Sequence, residues 1–271
     1  MPTHYAIAGG EAGKRRLDLL AGVMAPTTHA LLADVGVGPG RTCVDVGCGG
    51  GHVSRSLAER VGPTGWVVGI DFDAVKIAAA SEQRSRAGLQ NLEFRTVNVS
   101  QWSEPQTYDI VYARFILSHL PDRSEVLAGM CEALRPGGTL VLEDIDFTGA
   151  FCYPASASYV RYCDLYRAVV ARRGGDADLG PQMYGMCTAA GLSDVQVRVV
   201  QPVHYGHDIG KTMALSTLAN ISESIIADSL ATVSELQEVI AALTAYSEDP
   251  HSIISVPRIF QVWGRQANGG H

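Results

Sequence analysis

The 271-residue sequence has no uninterrupted apolar run long enough to cross a bilayer, which argues against a transmembrane protein. Its first residues lack the basic segment and apolar stretch of a secretory signal, so we expect a cytoplasmic protein without membrane contact. The six cysteines include no C-x-x-C pair, which disfavours a zinc site or a disulfide framework and favours reduced thiols. We therefore predict that the protein holds no metal.

Basic residues are also scarce in this chain. Lys and Arg number 21 against 28 Asp and Glu, which gives a formal net charge of −7 at pH 7. Binding to nucleic acid needs clustered Lys and Arg to neutralise phosphates, so this balance argues against a nucleic-acid-modifying enzyme. The sequence is instead rich in hydrophobic residues, at 46%, enough for the core of one large domain or of one domain with a cap.

Strand-like and helix-like patterns alternate up to about residue 146. Segments with helical periodicity separate five short strand-like segments, at residues 44–46, 66–71, 92–99, 108–113 and 139–144. This rhythm predicts an α/β fold with a parallel, doubly wound sheet. Ligands of such sheets bind outside the carboxyl ends of the strands, where the sequence places Gly47, Asp71, Asn98, Arg114 and Asp144.

The most informative motif is the glycine-rich run Asp45-Val46-Gly47-Cys48-Gly49-Gly50-Gly51, which follows the first strand. Such a turn lets backbone N–H groups approach a ligand that a Cβ atom would hold away. The next strand ends in Asp71, where βαβ nucleotide-binding folds place an acid for the ribose. A dinucleotide fingerprint that starts at Gly47 needs a third glycine at position 52. Because His52 stands there, the sequence disfavours an NAD-dependent dehydrogenase.

The pattern D-x-G-C-G-x-G, followed by a strand ending in G-x-D, resembles the S-adenosylmethionine (SAM) site of class I methyltransferases. The resemblance covers residues 41–146 and includes the turn Arg135-Pro136-Gly137-Gly138 before the fifth strand. It implies a seven-stranded, Rossmann-like sheet with an antiparallel last strand, and SAM as the cofactor. The cofactor-binding residues that it implies are Asp45, Gly47, Cys48, Gly49, Gly51, Asp71, Phe72, Asn98, Val99 and Arg114.

The same resemblance implies a role for each side chain of this set. Asp71 is expected to accept hydrogen bonds from both ribose hydroxyls, and Phe72 to pack on the adenine ring. Asn98 stands where the family most often has an aspartate that binds the adenine amino group, and its carbonyl oxygen is expected to accept that bond. Arg114 is expected to bind the methionine carboxylate or an acidic acceptor. Asp45 either fixes the loop or reaches the amino group of SAM through water.

Methyl transfer from a sulfonium depends mainly on alignment and on exclusion of water. His119, just after the fourth strand, is a candidate general base for a phenol or alcohol, with a structural or cofactor-side role as the alternative. Tyr5 is a second catalytic candidate, because its surroundings resemble the segment that closes over SAM in several small-molecule methyltransferases. Asp144 and Tyr159 are candidates for binding the acceptor, although the tyrosine-rich helix face that carries Tyr159 is more often simple helix packing.

The chain is predicted to have three parts: an N-terminal helical cap segment (1–40), the SAM-binding core (41–146) and a remainder that completes the sheet (147–271). In that remainder, residues 195–203 and 253–263 are each predicted as one strand. Insertions at 147–175 and 205–250 are expected to cover the acceptor site. We predict methyl transfer to an O or N atom of a small molecule or short peptide in secondary metabolism. The acidic net charge suits a neutral or cationic acceptor, and we expect a homodimer. A quinone-type C-methyltransferase and a non-catalytic SAM-binding protein are the alternatives.

Overall fold

The computed structural model describes residues 10–267, so the candidate Tyr5 lies outside the described residues. The helices are α1 (Gly10–Asp34), α2 (His52–Val61), α3 (Ala74–Arg86), α4 (Arg123–Glu132), α5 (Ala157–Arg172), α6 (Met183–Ala189), α7 (Met213–Ala227) and α8 (Val233–Glu248). The strands are β1 (Thr42–Val46), β2 (Trp66–Asp71), β3 (Leu92–Thr96), β4 (Tyr108–Arg114), β5 (Leu134–Asp146), β6 (Cys152–Tyr153), β7 (Ser193–Val200), β8 (Val203–Tyr205), β9 (Ile253–Ser255) and β10 (Arg258–Arg265). None of the helices described in this range is long and apolar enough to cross a membrane.

Seven of these strands form one sheet in the order β3-β2-β1-β4-β5-β10-β7. Strands β1 to β5 pair in parallel, and β10 runs antiparallel to both β5 and β7. The prediction of a doubly wound, seven-stranded α/β sheet with an antiparallel strand is therefore confirmed. A second sheet of three strands, β6-β9-β8, stands apart from it.

Two strands of the prediction are each divided in two by a proline. The segment 195–203 is predicted as one strand but separates at Pro202 into β7 and β8. The segment 253–263 separates at Pro257 into β9 and β10. Proline has no N–H to donate to a ladder, so each break lets the chain pass between the large and the small sheet. The two breaks are neighbours in space, because the backbone N–H of Val256, just before Pro257, donates to the carbonyl of Pro202 at 3.0 Å.

Local sequence explains the elements that frame the first two strands. Helix α2 buries Val53, Leu57 and Val61, whose four-residue spacing puts them on one face against the sheet. Helix α3 begins at the cap residue Asp73, whose carboxylate accepts the backbone N–H groups of Val75 and Lys76 at 3.0 and 3.2 Å. Both helices therefore begin directly after the carboxyl ends of β1 and β2, and they fix the backbone there.

Helices α1, α5, α7 and α8, together with the small sheet, form what we call the cap. The helices contact one another and share a buried apolar cluster that is distinct from the two clusters flanking the large sheet. Met24 of α1, Tyr162 of α5 and Leu218 of α7 belong to this cluster, as does Ile145 near the end of β5. The cap therefore rests on the carboxyl end of the sheet, where ligands of α/β folds bind.

A buried carboxylate, that of Glu143 in β5, fastens α1 to the sheet. The hydroxyl of Thr28 in α1 donates to its Oε1 at 2.8 Å, and the side-chain amide of Gln261 in β10 donates to its Oε2 at 2.7 Å. The hydroxyl of Tyr112 in β4 also donates to Oε1. A buried carboxylate is tolerated only when it is hydrogen-bonded. Moving α1 would remove the bond from Thr28, so this network favours one position of α1 over the sheet.

Candidate active site

The loop between β1 and α2 has the backbone that its glycines predict. Gly47, Gly49 and Gly51 have φ angles of 70, 52 and 71°, a left-handed conformation that other residues avoid. At Gly51 a Cβ atom would lie 2.5 Å from the ring of Phe94, so this glycine is also required by close packing. The loop thus presents its backbone to the space above the sheet.

Asp71 at the end of β2 is the partner of this loop. Its carboxylate is almost fully buried, and Oδ2 accepts the backbone N–H of Gly49 at 2.9 Å. Oδ1 accepts the backbone N–H of Asp73, also at 2.9 Å. Each carboxylate oxygen has a further lone pair, so Asp71 can accept two ribose hydroxyls while it holds the loop in place.

Asp45 lies in β1, two positions before Gly47 of the same loop. Its Oδ2 accepts the hydroxyl of Ser54 in α2 at 2.5 Å, and the side chain lies in the wall of a cavity above the loop. Burial raises the pKa of Asp45 to about 6, although the Ser54 hydroxyl and the Arg114 guanidinium oppose the shift. Burial and the carboxylates of Asp45 and Asp71 raise the pKa of the Cys48 thiol, so Cys48 stays protonated. We infer that Asp45 mainly fixes the loop.

An open cleft of about 890 Å³ adjoins Asp71, within the size range of small-ligand sites. The side chain of Phe72 in its wall is 45% exposed, as an aromatic ring must be to stack on a ligand. Val99 and Asn98 also line the cleft. The Oδ1 atom of Asn98 accepts the backbone N–H of Ser100 at 3.1 Å, so one lone pair of the predicted adenine acceptor is already used.

A second cavity, which we call the chamber, begins at the glycine loop and extends under the cap. The cleft and the chamber share five wall residues, which are Gly47, Asp71, Phe72, Ile116 and His119. The cap side of the chamber is lined by Arg16, Leu17, Leu20, Met24, Phe115, Ile145, Phe147, Tyr162, Tyr166, Met213 and Thr217. One wall is flat and aromatic, because the rings of Phe147 and Tyr166 stack with centroids 4.3 Å apart.

His119 stands where the cleft and the chamber meet. Its ring contacts Tyr166 edge-on, with the centroids 6.5 Å apart. Burial, assisted by the positive charges of Arg16 and Lys76, lowers the pKa of His119 to about 3. The predicted base is therefore in the predicted place and neutral at pH 7, but its low pKa makes it a weak acceptor of protons.

We expect His119 to make the protein less stable in acid. An unfolded chain protonates this histidine below about pH 6.5, whereas the folded protein leaves it neutral down to about pH 3. Stability contributed by the residue is thus lost as the pH falls below 6.5. Between pH 7.5 and pH 5 the wild type should lose about 1–2 kcal/mol relative to His119→Gln, as measured by urea unfolding. Equal losses in the two proteins would contradict this expectation.

The structure places two predicted acceptor-binding residues, Asp144 and Tyr159, outside the walls of both the cleft and the chamber. The carboxylate of Asp144 is turned into the protein, where it accepts the backbone N–H groups of Ser118 at 3.0 Å and of Ile145 at 2.9 Å. The hydroxyl of Tyr159 donates to the carbonyl of Ser255 at 2.7 Å and so fastens α5 to β9. Both side chains hold the framework together.

Arg114 ends β4, and Phe115 follows it; both line the chamber. The guanidinium of Arg114 donates to the Thr28 hydroxyl at 3.1 Å, which ties this candidate residue to α1. Phe115 has a φ angle of 56°, and a bulky residue adopts this conformation at a cost of about 1–2 kcal/mol. Such strain is concentrated at functional sites, where the surrounding structure enforces it.

Sequence reasoning missed most of the chamber. Arg16 on α1, Thr217 on α7 and the pair Tyr162 and Tyr166 on α5 all face it. The tyrosine face of α5 was visible in the sequence, but its periodicity cannot separate residues that face a cavity from those that pack against a strand. The N-terminal helix was predicted as part of the cap, but Arg16 had no local signal, because its place in the wall depends on how α1 crosses the sheet.

Residues 38–181, which are more than half of the chain, match the family described as "Methyltransferase domain". The chain belongs to the class I SAM-dependent methyltransferases. This methyltransferase is 28% identical over 204 residues to methyltransferase str3 of Strobilurus tenacellus, covering 73% of this chain and 70% of that protein. It resembles the crystal structure of a SAM-dependent methyltransferase from Aquifex aeolicus with a TM-score of 0.52 at 17% identity, covering 88% of this chain and 89% of that one.

A further relative of this methyltransferase shares only the core. A ubiquinone biosynthesis O-methyltransferase of Pseudomonas fluorescens is 34% identical over 109 residues, which are 40% of this chain and 45% of that protein. The chain thus matches less than half the length of that relative. The family uses SAM, and the residues present fit it, because the left-handed glycines leave room at the loop and Asp71 offers two acceptor oxygens.

Proposed function

We propose that this protein transfers a methyl group from SAM to an O or N atom of a small molecule held in the chamber. The observation that carries the proposal is that the cleft and the chamber meet at Gly47, Ile116 and His119. The cofactor-binding residues and a separate aromatic cavity thereby share one opening. When bound there, SAM would supply the methyl group and, in its sulfonium sulfur, the leaving group that takes the electron pair of the broken bond.

The protein contributes alignment and a dry site. Asp71 and the glycine loop would hold the ribose and methionine portions, while Phe72 and Asn98 would hold the adenine. The cap would close the chamber to water, and orientation of this kind can lower a barrier by about 7–11 kcal/mol in favourable cases. With its low pKa, His119 suits a hydrogen-bond partner for the acceptor better than a strong base.

Two alternatives remain open to test. A non-catalytic SAM-binding protein would be favoured by a chamber filled with side chains, whereas the chamber here keeps a cavity of about 130 Å³. A quinone-type C-methyltransferase resembles the core of this chain but not its long insertions at 147–175 and 205–250. We favour a small molecule over a short peptide because α1, α5 and α7 all bound the chamber.

We further propose a homodimer and a cytoplasmic role in secondary metabolism. Tyr153 and Tyr205, each 69% exposed, flank Ile253 on the small sheet and support a surface for a second copy. The acidic net charge and the insertions that form the cap support a role in secondary metabolism in the cytoplasm.

Calorimetry tests the cofactor before any acceptor is known. We expect micromolar binding of SAM and of S-adenosylhomocysteine, and no binding of NAD, because His52 replaces the glycine that a dinucleotide needs. Incubation with SAM and a panel of hydroxylated and aminated aromatic compounds, followed by mass spectrometry, should then show products heavier by one methylene. Binding of NAD without SAM would overturn the proposal.

A further inference from the structure

Arg16 is a buried cation in the wall of the chamber. Arg16 is only 8% exposed and lines the chamber. Its Nε donates to the hydroxyl of Thr217 in α7 at 3.1 Å. An arginine has five N–H donors, so this bond leaves four of them for other partners. Among the side chains that the structure describes, no carboxylate lies within ion-pair distance of Arg16, whereas Arg161, Arg173 and Arg258 each have such a partner.

A guanidinium in this position can pair with an anion that enters the chamber. Transfer of an unpaired charge from water into a protein costs several kcal/mol, and a paired one is far better tolerated. Arg16 would therefore stabilise a negative group bound beside it. The planar fork of the guanidinium matches a carboxylate, which it can bind with two parallel hydrogen bonds.

The charges in the chamber are separated between its two ends. At the loop end lie the carboxylates of Asp45 and Asp71, and the guanidinium that acts on Asp45 is that of Arg114. At the cap end Arg16 faces Tyr162, Tyr166 and His119. Burial raises the pKa of Tyr166 to about 12, and His119 is neutral at pH 7, so neither neutralises Arg16. The positive charges of Arg16 and Lys76 act on His119 there, while the buried carboxylate of Asp144 acts on Tyr166 from outside the chamber wall.

We propose that Arg16 binds a carboxylate of the acceptor, and that the acceptor is therefore an aromatic carboxylic acid. This inference rests on the proposed methyl transfer and names the substrate class for it. The stacked rings of Phe147 and Tyr166 supply a flat wall for the aromatic portion, and Tyr162 lies beside them. The net charge of the chain suggested a neutral or cationic acceptor. A carboxylate bound to Arg16 would make the acceptor an anion instead.

Calorimetry on the protein saturated with S-adenosylhomocysteine tests the assignment. The probes are benzoate, 4-hydroxybenzoate and cinnamate, each compared with its uncharged amide. In the wild type we expect the acids to bind more tightly than the amides. Arg16→Gln should weaken the acids by about 10- to 100-fold and leave the amides unchanged, since a charge-assisted bond is lost. Arg16→Lys should recover part of the difference, and Arg15→Gln, on the exposed side of the same helix, should change neither.

Two further measurements separate other roles of Arg16. Because the bond from Arg16 to Thr217 joins α1 to α7, a purely structural arginine would lower the melting temperature when replaced but leave the preference for acids over amides unchanged, which would overturn the inference. If Arg16→Gln weakens S-adenosylhomocysteine but not 5′-methylthioadenosine, which lacks the amino-acid portion, Arg16 binds the cofactor and the inference is wrong. Equal binding of acids and amides by the wild type also overturns it. Absence of S-adenosylhomocysteine binding in the wild type would instead overturn the proposed function itself, and the inference with it.

Discussion

Asp71→Asn should weaken binding of S-adenosylhomocysteine by at least about 100-fold. Hydrogen bonds to a charged acceptor contribute about 1.5–3 kcal/mol each, and Asp71 is placed to accept two from the ribose. An amide nitrogen cannot accept a hydrogen bond, so the variant must also lose one of the bonds from Gly49 or Asp73 that fix the loop. Calorimetric titration of both proteins at one pH measures the change.

Asp73→Asn is the matched control for that experiment. Asp73 lies two positions away, but its carboxylate caps α3 by accepting the N–H groups of Val75 and Lys76. Asparagine is an equally good N-cap, so the affinity should stay within a few-fold of the wild type. If Asp71→Asn behaved like this control, the ribose assignment would be wrong and the cleft would have to bind another ligand.

Gly51→Ala is expected to lower the free energy of unfolding by about 2–5 kcal/mol. A left-handed backbone costs a residue with a Cβ about 1–2 kcal/mol, and overpacking adds about 1–3 kcal/mol. The new methyl group would lie 2.5 Å from the ring of Phe94 and 3.1 Å from the Cβ of Ala80. The glycine loop must shift to relieve these contacts, so the affinity for S-adenosylhomocysteine should fall as well. Urea unfolding measures the first effect and calorimetry the second.

Gly36→Ala separates the two causes of that loss. Gly36 has a φ angle of 78°, close to that of Gly51, but an added Cβ would meet nothing within 4 Å. We expect it to lose only the conformational part, about 1–2 kcal/mol, with unchanged cofactor binding. Equal losses at both positions would show that Phe94 moves aside without cost.

Most of the large sheet could be predicted from the sequence because each strand carries its own signal. The parallel strands are buried apolar runs that end at a glycine or a polar residue. Asp73, a typical N-cap residue, indicates where α3 begins. The errors lie at Pro202 and Pro257, where the pattern of alternating residues continues through a change of sheet. Alternation reports which face of a strand is buried but not which sheet buries it.

The cofactor half and the acceptor half of the site also differ in how far the sequence predicts them. The cofactor half follows from residues that lie at strand ends, so one stretch of sequence predicts Gly47, Gly49 and Asp71 together. The acceptor half is assembled from helices far apart in the chain, and local patterns cannot specify that assembly. Tyr159 and Tyr166 share one helical face, yet only Tyr166 lines the chamber, because β9 covers the other end of α5.

The position of β10 in the large sheet sets an order of events during folding. Residues 258–265 lie between β5 and β7, although more than 100 residues of chain separate β10 from β5. Until that segment has been synthesised, β5 exposes an unpaired, apolar edge that another nascent chain can pair with. Closing so long a loop also makes the step slow, since non-local strand pairing limits folding rates. Low temperature or chaperones during expression should therefore raise the yield of folded protein more than stabilising changes within β1 to β4.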